Sequence, residues 1–435
     1  MRSSFLLFAL ALFSAASASG ELATTPAFWP DKSGPTFDCV VPAADAAKIP
    51  TEWDGESGKN IAWSVELEGL GHSSPVIGGD LVWFTAATED GTKQYVYAIN
   101  RHDGTIVHHK LMFSNPDPEP LGNPLNNYAA PSPVLEDGAV YVHFGTYGTA
   151  RLDPATGEKV WERRDINVRH FRGPGSSPVI FENLLLLSFD GIDKQFVTAL
   201  DKETGATIWK TNRTTDYGDL DPDGNPTRDG DMRKAYHTPS VFEIAGRQQM
   251  ISVGSRAAFG YDVHTGEELW TIRHGGFNAA IRPLRSGDLL FLNTGSERSH
   301  TLAVRIDDQM KGDITESHIV WDREKRNASE ASPVIVDGML IQITRGGIVS
   351  CNDVKTGDEI WEERLPGQFL PAPIVSGDRL YFSNDRGETH LVRAAKTWEV
   401  LGMNQLPSPI SSSPAVAEGA IFLRTKTHLH KIVGE

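Results

Sequence analysis

The chain has 435 residues and a formal net charge of −16, with 39% apolar and 23% charged residues. This composition, with 41 glycines and 26 prolines, is typical of a globular, turn-rich protein and favours short strands over helices. The acidic balance argues against nucleic acid or an anionic membrane surface as a partner, because both select basic patches.

The first residues have the pattern of a secretion signal. Arg2 supplies a positive charge, residues 5–13 form an apolar core, and residues 16–18 (Ala-Ser-Ala) form a small-residue cleavage site. The apolar run is too short to span a bilayer, and no later run is long enough. We therefore expect a signal peptide over residues 1–18, cleaved near Ala18, and an exported protein, periplasmic or extracellular, without a transmembrane segment.

Residues 19–59 are rich in Pro and Ala and predict an irregular lead-in to a single domain over residues 60–435. Asn60–Leu67 alternates like a strand, with Trp63 as its large residue, but no strand precedes it to act as its partner. The only cysteines, Cys39 and Cys351, could pair in an oxidising compartment or remain as two free thiols. There is no C-x-x-C-H motif, so covalent haem is not expected.

A repeated signature follows, in which small residues approach a proline and a β-branched strand comes next. Most copies continue into a Gly-Asp or Asp-Gly turn and a second apolar strand, which predicts tight hairpins. Successive signature prolines lie 40 to 61 residues apart. The eight prolines are Pro75, Pro133, Pro178, Pro239, Pro283, Pro333, Pro373 and Pro414.

A second motif, Asp-x-x-Thr-Gly-x-x-x-Trp, begins at Asp153, Asp201, Asp262 and Asp353. The Asp side chain can accept backbone N–H bonds in the turn between a third and a fourth strand. The Gly takes a positive φ that a side chain would resist, and the Trp offers a broad apolar face to the next unit. Each repeat is therefore predicted to be a four-stranded antiparallel meander.

A single meander cannot bury both of its faces, but repetition around an axis buries them. The pattern predicts an all-β protein, an eight-bladed β-propeller of four-stranded antiparallel blades. The last unit supplies only three strands, so Asn60–Leu67 is expected to complete it and close the ring with strands from both termini. The expected blade-docking residues are Trp63, Trp161, Trp209, Trp270, Trp321 and Trp361.

Three units depart from the motif. The first has His108 in the place of the Trp, and the fifth keeps Trp321 but carries an insertion over Asp307–Ser317. The seventh, around Lys396–Trp398, lacks the turn sequence.

The full pattern at Ala199–Trp209 resembles the tryptophan-docking motif of the pyrroloquinoline-quinone (PQQ) repeat propellers, over about residues 60–433. That superfamily includes eight-bladed quinoprotein alcohol dehydrogenases and non-enzymatic relatives such as the outer-membrane assembly lipoprotein of the BAM complex. The segments His143–Asp153 and Phe171–Ile180 look like uncharacterised exported PQQ-like repeat proteins. The resemblance implies the fold and export, with no assigned reaction.

The enzyme branch implies vicinal cysteines near the quinone and a Glu/Asn/Asp set around a calcium ion. This chain has no adjacent cysteines, and the calcium set has no residue-by-residue match. The lipoprotein branch implies a lipid-attachment cysteine, and none follows the expected cleavage site.

An acidic insertion over Asp216–Asp231 begins like a calcium loop, because alternate carboxylates can converge on one cation. The bidentate Glu at the twelfth loop position is missing, and Gly230 stands there. Two interpretations stay open, a structural Ca²⁺ site and a solvated acidic turn. The candidate metal ligands are Asp219, Asp221, Asp223 and Asp229.

The starts of the innermost strands should line one mouth of the central channel, where charged and aromatic groups would converge on one cleft. Such a cleft would suit a polar or anionic ligand through Arg172 and Arg282, although each residue taken singly is compatible with a structural role. The candidate ligand-binding residues are His72, Tyr128, Arg172, Tyr236, His237, Arg282 and Glu330.

These patterns favour a monomeric binding or scaffold module, with an unknown protein or a small polar ligand as its partner and no catalysis assigned. The alternative is a PQQ- and Ca²⁺-dependent quinoprotein oxidoreductase that acts on alcohols or sugars. No nucleophile motif is present in the chain.

Overall fold

The computed structural model describes residues 29–219, 221–223, 230–296 and 299–434. The predicted signal segment and Asp229 lie outside these ranges. Within them the chain forms eight antiparallel sheets in sequence order, which confirms the predicted eight-bladed β-propeller. We number the blades 1 to 8 from the first signature proline.

The first four blades are built from consecutive strands. Blade 1 contains Val76–Gly78, Leu81–Ala87, Lys93–Asn100 and Ile106–Ser114. Blade 2 contains Val134–Glu136, Ala139–His143, Thr149–Leu152 and Lys159–Arg163. Blade 3 contains Val179–Phe181, Leu184–Asp190, Gln195–Asp201 and Thr207–Asn212. Blade 4 contains Ser240–Ile244, Arg247–Val253, Ala257–Asp262 and Glu268–Arg273.

The remaining blades repeat this order. Blade 5 contains Leu284–Ser286, Leu289–Asn293, Thr301–Arg305 and Ile319–Arg323. Blade 6 contains Val334–Val336, Met339–Ile343, Ile348–Asp353 and Glu359–Arg364. Blade 7 contains Ile374–Ser376, Arg379–Ser383, Glu388–Arg393 and Val400–Gln405. Blade 8 contains Ala415–Ala417, Ala420–Arg424, His428–Ile432 and, from the N-terminal side, Ile61–Glu66.

Helical structure is minor in the described ranges. It consists of the α-helical turns Ala43–Ala46 and Thr315–His318 and the 3₁₀ turns Gly145–Tyr147 and Asp231–Arg233. None of the helices in this part of the chain has the length and apolar character needed to cross a bilayer.

The ring closes as predicted, with a strand from each terminus side by side. Ile61–Glu66 pairs antiparallel with His428–Ile432, and Trp63 lies over Gly104 of blade 1. The Arg101 guanidinium of blade 1 donates two hydrogen bonds, of 2.6 and 3.0 Å, to the Glu418 carboxylate of blade 8. The closing blade is therefore joined to the first blade by both apolar and charged contacts.

Adjacent blades are joined by the repeated indole. In Trp161, Trp209, Trp321 and Trp361 the indole N–H donates to a backbone carbonyl of the next blade, at 2.9, 2.9, 3.1 and 2.9 Å. For Trp161, Trp209 and Trp321, the motif glycine of the next blade lies beneath the ring, and a Cβ at Gly266 would approach Trp209 to 2.5 Å. Gly266 also has a φ of +73°, so it is required both for its backbone conformation and for its lack of a side chain.

In blades that depart from the motif, other local contacts take the place of the indole–glycine junction. The His108 Nε2 lies 3.2 Å from the Pro154 carbonyl oxygen, in the position that an indole N–H takes elsewhere. Trp270 packs in a cluster with residues of blade 5, but its N–H donates to the Gln249 side chain of its own blade at 2.8 Å. Blade 5 lacks the receiving turn, and its insertion instead adds the strand Gly312–Asp313, parallel to the outer edge of blade 4.

Replacing Trp209 by Ala should destabilise the fold by about 3–5 kcal/mol, because a buried indole is lost from a blade junction. Urea unfolding followed by circular dichroism measures this change. Ile208→Ala is the matched control, since Ile208 is 49% exposed on the same strand, and it should have little effect. Equal destabilisation by the two substitutions would contradict the clamp role of Trp209.

Candidate functional site

The lead-in occupies the central channel of the propeller. Trp29 and Ile77 exchange backbone hydrogen bonds of 2.9 and 2.7 Å, and the Leu135 N–H donates to the Pro30 carbonyl at 2.9 Å. On the other side, the Val41 N–H donates to Val375 at 2.8 Å. These partners belong to the innermost strands of blades 1, 2 and 7. We call residues 29–41 the N-terminal plug.

The plug is a loop whose tip faces the mouth of the channel. Trp29 pairs antiparallel with blade 1, whereas Val40 pairs parallel with blade 7. Because the innermost strands all run away from the mouth, the plug ascends beside blade 1, turns at residues 31–38 and descends beside blade 7. After residue 41 the chain passes the helical turn Ala43–Ala46 and reaches the closing strand of blade 8.

A buried ion pair anchors the tip of the plug. The Arg282 Nη1 of blade 5 lies 2.8 Å from the Asp31 Oδ1, and both side chains are 2% exposed. The Arg282 guanidinium also lies 4.8 Å from the centre of the Phe37 ring. Cys39 follows in the descending arm as a free, buried thiol, and Cys351 is also free and buried. Burial raises the pKa of both thiols to about 12.

A cavity of about 240 Å³ lies between the plug tip and the mouth. Lys32 and Ser33 of the tip contribute to it. The residue three positions before the signature proline also lines the cavity in every blade. These eight residues are His72, Ala130, Gly175, Tyr236, Ala280, Glu330, Leu370 and Ser411. The sequence alignment on the prolines therefore identifies a ring of lining positions, one from each blade.

Four of the seven candidate ligand-binding residues line this cavity, namely His72, Arg172, Tyr236 and Glu330. The other three lie outside the lining. The Tyr128 hydroxyl donates to the Glu119 carbonyl at 3.0 Å, and the buried His237 Nε2 lies 2.9 Å from the Ser252 Oγ. Arg282 is committed to the plug. All three lie outside the recurring position three residues before the proline, as does Arg172, which nevertheless lines the cavity.

A chain of hydroxyl groups lies beside the cavity, formed by the residue just before the proline. The Ser74 N–H donates to the Ser132 Oγ at 2.9 Å, and the Ser413 N–H donates to the Ser74 Oγ at 3.0 Å. In the same way, the backbone N–H groups of Ser132, Ser177 and Ala372 donate to the hydroxyl oxygens of Ser177, Thr238 and Ser413. Each hydroxyl accepts an N–H at the inner edge of a neighbouring blade. In blade 5 this position is Arg282, which reaches the plug instead.

The charged groups of the lining are mostly cationic. Among the lining residues that the structure describes, Lys32, Arg172 and Arg345 face a single carboxylate, Glu330. The Arg172 Nη2 lies 2.6 Å from the Asp231 Oδ2, whereas the Arg345 Nε donates to the Gln368 side chain. Burial lowers the pKa of Lys32, the neighbouring Asp31 opposes this shift, and Arg282 adds to it. Sequence reasoning missed Lys32 and Arg345, because neither belongs to the repeated signature.

Two further groups at the cavity are neutral near pH 7. Burial, reinforced by the nearby Arg424 charge, lowers the pKa of His72 to about 4. Burial raises the pKa of Tyr236, and Asp231 adds to this shift. His72 and Tyr236 therefore offer hydrogen bonds without a formal charge.

The acidic insertion is partly explained by an ion pair. The Arg233 guanidinium donates to both oxygens of the buried Asp219 carboxylate, at 2.6 and 3.1 Å. The Asp221 Oδ1 accepts the Asp223 N–H at 3.0 Å. Among the described residues, no three His, Cys, Asp or Glu side chains are grouped so that they could hold a metal ion. The calcium site stays a prediction, since Asp229 lies outside the described ranges.

Binding of PQQ with its calcium ion would require cations for the quinone carboxylates and oxygen ligands for the metal. The carboxylates of PQQ would find cations in Lys32, Arg172 and Arg345. Calcium takes six to eight oxygen ligands, commonly including several carboxylates. Within the described ranges, the lining offers Glu330 as its only carboxylate, beside the side-chain amides of Asn123, Asn126 and Asn278. The donor set therefore fits an anion better than a quinone with its calcium ion.

The closed ring and the repeated indole–glycine junction define a PQQ-repeat β-propeller. The chain belongs to the family described as outer membrane protein assembly factor BamB, whose model matches residues 40–188, 193–331 and 312–427. BamB from Yersinia pestis is 22% identical over 357 residues, which is 80% of this chain and 80% of that protein.

Two further proteins are similar. Tetrathionate hydrolase from Acidithiobacillus ferrooxidans is 22% identical over 301 residues, which is 66% of this chain and 53% of that protein. The structure of quinohemoprotein alcohol dehydrogenase from Comamonas testosteroni has a TM-score of 0.61 at 12% identity, covering 95% of this chain and 82% of that chain. At this identity the structural likeness shows the fold alone.

Replacing Arg282 by Met should destabilise the protein by about 3–5 kcal/mol, because Asp31 is left as a buried carboxylate without its cation. The double variant Asp31→Asn/Arg282→Met should recover part of this loss. Arg273→Met is the control, since it breaks the exposed Arg273–Asp313 pair and should change little. Urea unfolding measures all three, and a double variant no more stable than Arg282→Met would contradict the charge argument.

The stability of the protein should fall as the pH is lowered from about 6.5 towards 4. In this window the unfolded chain binds a proton at His72, whereas the folded chain, with a His72 pKa of about 4, does not. The variant His72→Gln should therefore show a shallower dependence of the unfolding free energy on pH, by about one proton. His264→Gln is the control, because its side chain is half exposed. Identical pH profiles for wild type and His72→Gln would contradict this assignment.

Proposed function

We propose that the protein is an exported PQQ-repeat-like propeller that acts as a binding or scaffold module, and that its mouth cavity holds a small, polar, anionic ligand. The observation that carries this proposal is the charge of the described lining residues, in which Lys32, Arg172 and Arg345 stand against the Glu330 carboxylate, with Arg172 also paired to Asp231. The chain as a whole carries a net charge of −16, so this local excess of positive charge runs against its composition.

The geometry strengthens that charge. Lys32 and Ser33 of the plug line the inner side of the cavity, so a ligand there would contact protein rather than open water. Charge interactions are stronger in such a partly desolvated cleft, and a concave surface of one sign concentrates counter-ions. Arg172 and the hydroxyl groups of Ser74 and Ser132 supply directional donors to an oxygen-rich anion.

The family membership supports a binding role and export. The relative from Yersinia pestis is named an outer membrane protein assembly factor, which is a role in assembly rather than in catalysis. We extend to this chain the export and the engagement of a protein partner. The outer faces of the blades are available to such a partner while the mouth cavity holds its ligand.

A quinoprotein oxidoreductase is the second candidate, because the fold is shared with quinohemoprotein alcohol dehydrogenase. The cavity cations would suit the carboxylates of PQQ, which would supply the redox chemistry when bound. The scarcity of carboxylates for calcium ranks this candidate below the binding module.

Purified protein should show no dye-linked oxidation of ethanol or glucose after incubation with PQQ and Ca²⁺. The same protein should be stabilised against heat by small polar anions, with citrate, glutarate and sulfate as the probes and sodium chloride as the ionic-strength control. Arg172→Gln should weaken the binding of the best anion by about tenfold, since a hydrogen bond from a charged group is lost. Turnover with PQQ, or the absence of any anion effect, would overturn the proposal.

A further inference from the structure

The mouth cavity contains two charged groups of opposite sign that do not meet. Lys32 reaches it from the plug tip, and Glu330 reaches it from blade 6. In the part of the chain that the structure describes, the Lys32 ammonium has no ion pair within 4.0 Å and no hydrogen bond. Its nearest acid, Asp31, is already bound by Arg282 and by the Ser33 N–H.

Glu330 is in a similar position. Its carboxylate accepts a hydrogen bond from the neighbouring Ser329 hydroxyl, but it forms no ion pair with Lys32, Arg172, Arg345 or any other described cation. The two charges therefore face the same small volume while each lacks a counter-charge. In a protein interior, charged groups that are partly desolvated are usually paired.

From this arrangement we propose that the ligand is a small amino acid, whose carboxylate binds Lys32 and whose ammonium group binds Glu330. This inference rests on the proposed function, because it narrows the class of anion that the same cavity takes. A plain carboxylate would satisfy Lys32 but leave Glu330 without a cation. A plain amine would leave Lys32 and Arg345 without an anion.

The remaining groups of the lining are consistent with a ligand of this class. Arg345 has no carboxylate partner among the residues that the structure describes, so it can bind a second acidic group, as in an amino dicarboxylate. Arg172 is neutralised by Asp231 and acts as a hydrogen-bond donor rather than as an unbalanced charge. His72 is uncharged near neutral pH, so it does not compete with the ligand's ammonium group for Glu330.

The position of Lys32 adds a structural consequence. Lys32 is next to Asp31, the residue through which Arg282 holds the plug tip. An anion bound to Lys32 therefore binds the plug and the blades together, since Glu330 belongs to blade 6. Ligand binding should reduce the motion of residues 29–41.

The test compares ligands that differ only in the amino group. Calorimetry of the wild type is run with L-aspartate against succinate and with L-glutamate against glutarate, with cadaverine as the amine without a carboxylate. We expect the amino acid of at least one pair to bind about tenfold more tightly than its partner, because one charged contact is added. Cadaverine should not bind.

Two variants assign the two charges. Lys32→Met should abolish the binding of both members of a pair. Glu330→Gln should weaken the binding of the amino acid but not the binding of the plain dicarboxylate. Lys93→Met and Glu89→Gln are the matched controls, since both residues are exposed outside the cavity and form no ion pair in the described chain. Circular dichroism confirms that each variant is folded.

A second variant at the same position keeps the positive charge. Lys32→Arg should retain the binding of the amino acid and its preference over the plain dicarboxylate. Equal binding of the amino acid and the plain dicarboxylate in both pairs would overturn this inference while leaving the proposed anion site intact. Unchanged binding in Lys32→Met, or a folded Lys32→Arg that loses binding as Lys32→Met does, would also overturn it. If neither the amino acids nor the dicarboxylates bind but citrate or sulfate stabilises the protein, only this inference fails; if no anion has an effect, the proposed function fails as well.

Discussion

The contact between an indole of one blade and a glycine of the next is the constraint on which the rest of the structure depends. A four-stranded meander has two apolar faces, and each face is covered only if a neighbouring blade approaches closely. The absence of a side chain at positions such as Gly266 allows that approach, and the indole N–H fixes its register through a backbone carbonyl. Where the turn is missing, as in blade 5, Trp270 turns to its own blade and an inserted strand covers the edge.

This regularity explains why the fold could be predicted from the sequence. Eight prolines and four copies of one motif report the number of blades, and the unpaired segment at Trp63 reports how the ring closes. The residues around the mouth could be predicted for the same reason, because the position three residues before each proline recurs around the ring. His237 and Arg282 stand at other positions relative to their prolines and do not line the cavity, whereas Arg172 lines it from outside the recurring position.

The plug residues that line the inner side of the mouth cavity could not be predicted from the repeats in this way. Lys32 belongs to a segment without periodicity, and its place in the channel is set by backbone hydrogen bonds to strands that lie far apart in the sequence. Backbone pairing to a free strand edge requires no particular side chains, so it leaves no pattern to detect. Arg345 lies in a hairpin loop outside the repeated signature, and only the closed ring brings it to the cavity.

The backbone pairing of the plug has a consequence for the order in which the molecule is assembled. Residues 29–41 are made before any blade, yet their descending arm pairs with Val375 in blade 7. Contacts of such long sequence separation form late, because the intervening chain must first become compact. The mouth cavity is therefore complete only when nearly the whole ring has been synthesised and closed, because its lining positions come from all eight blades.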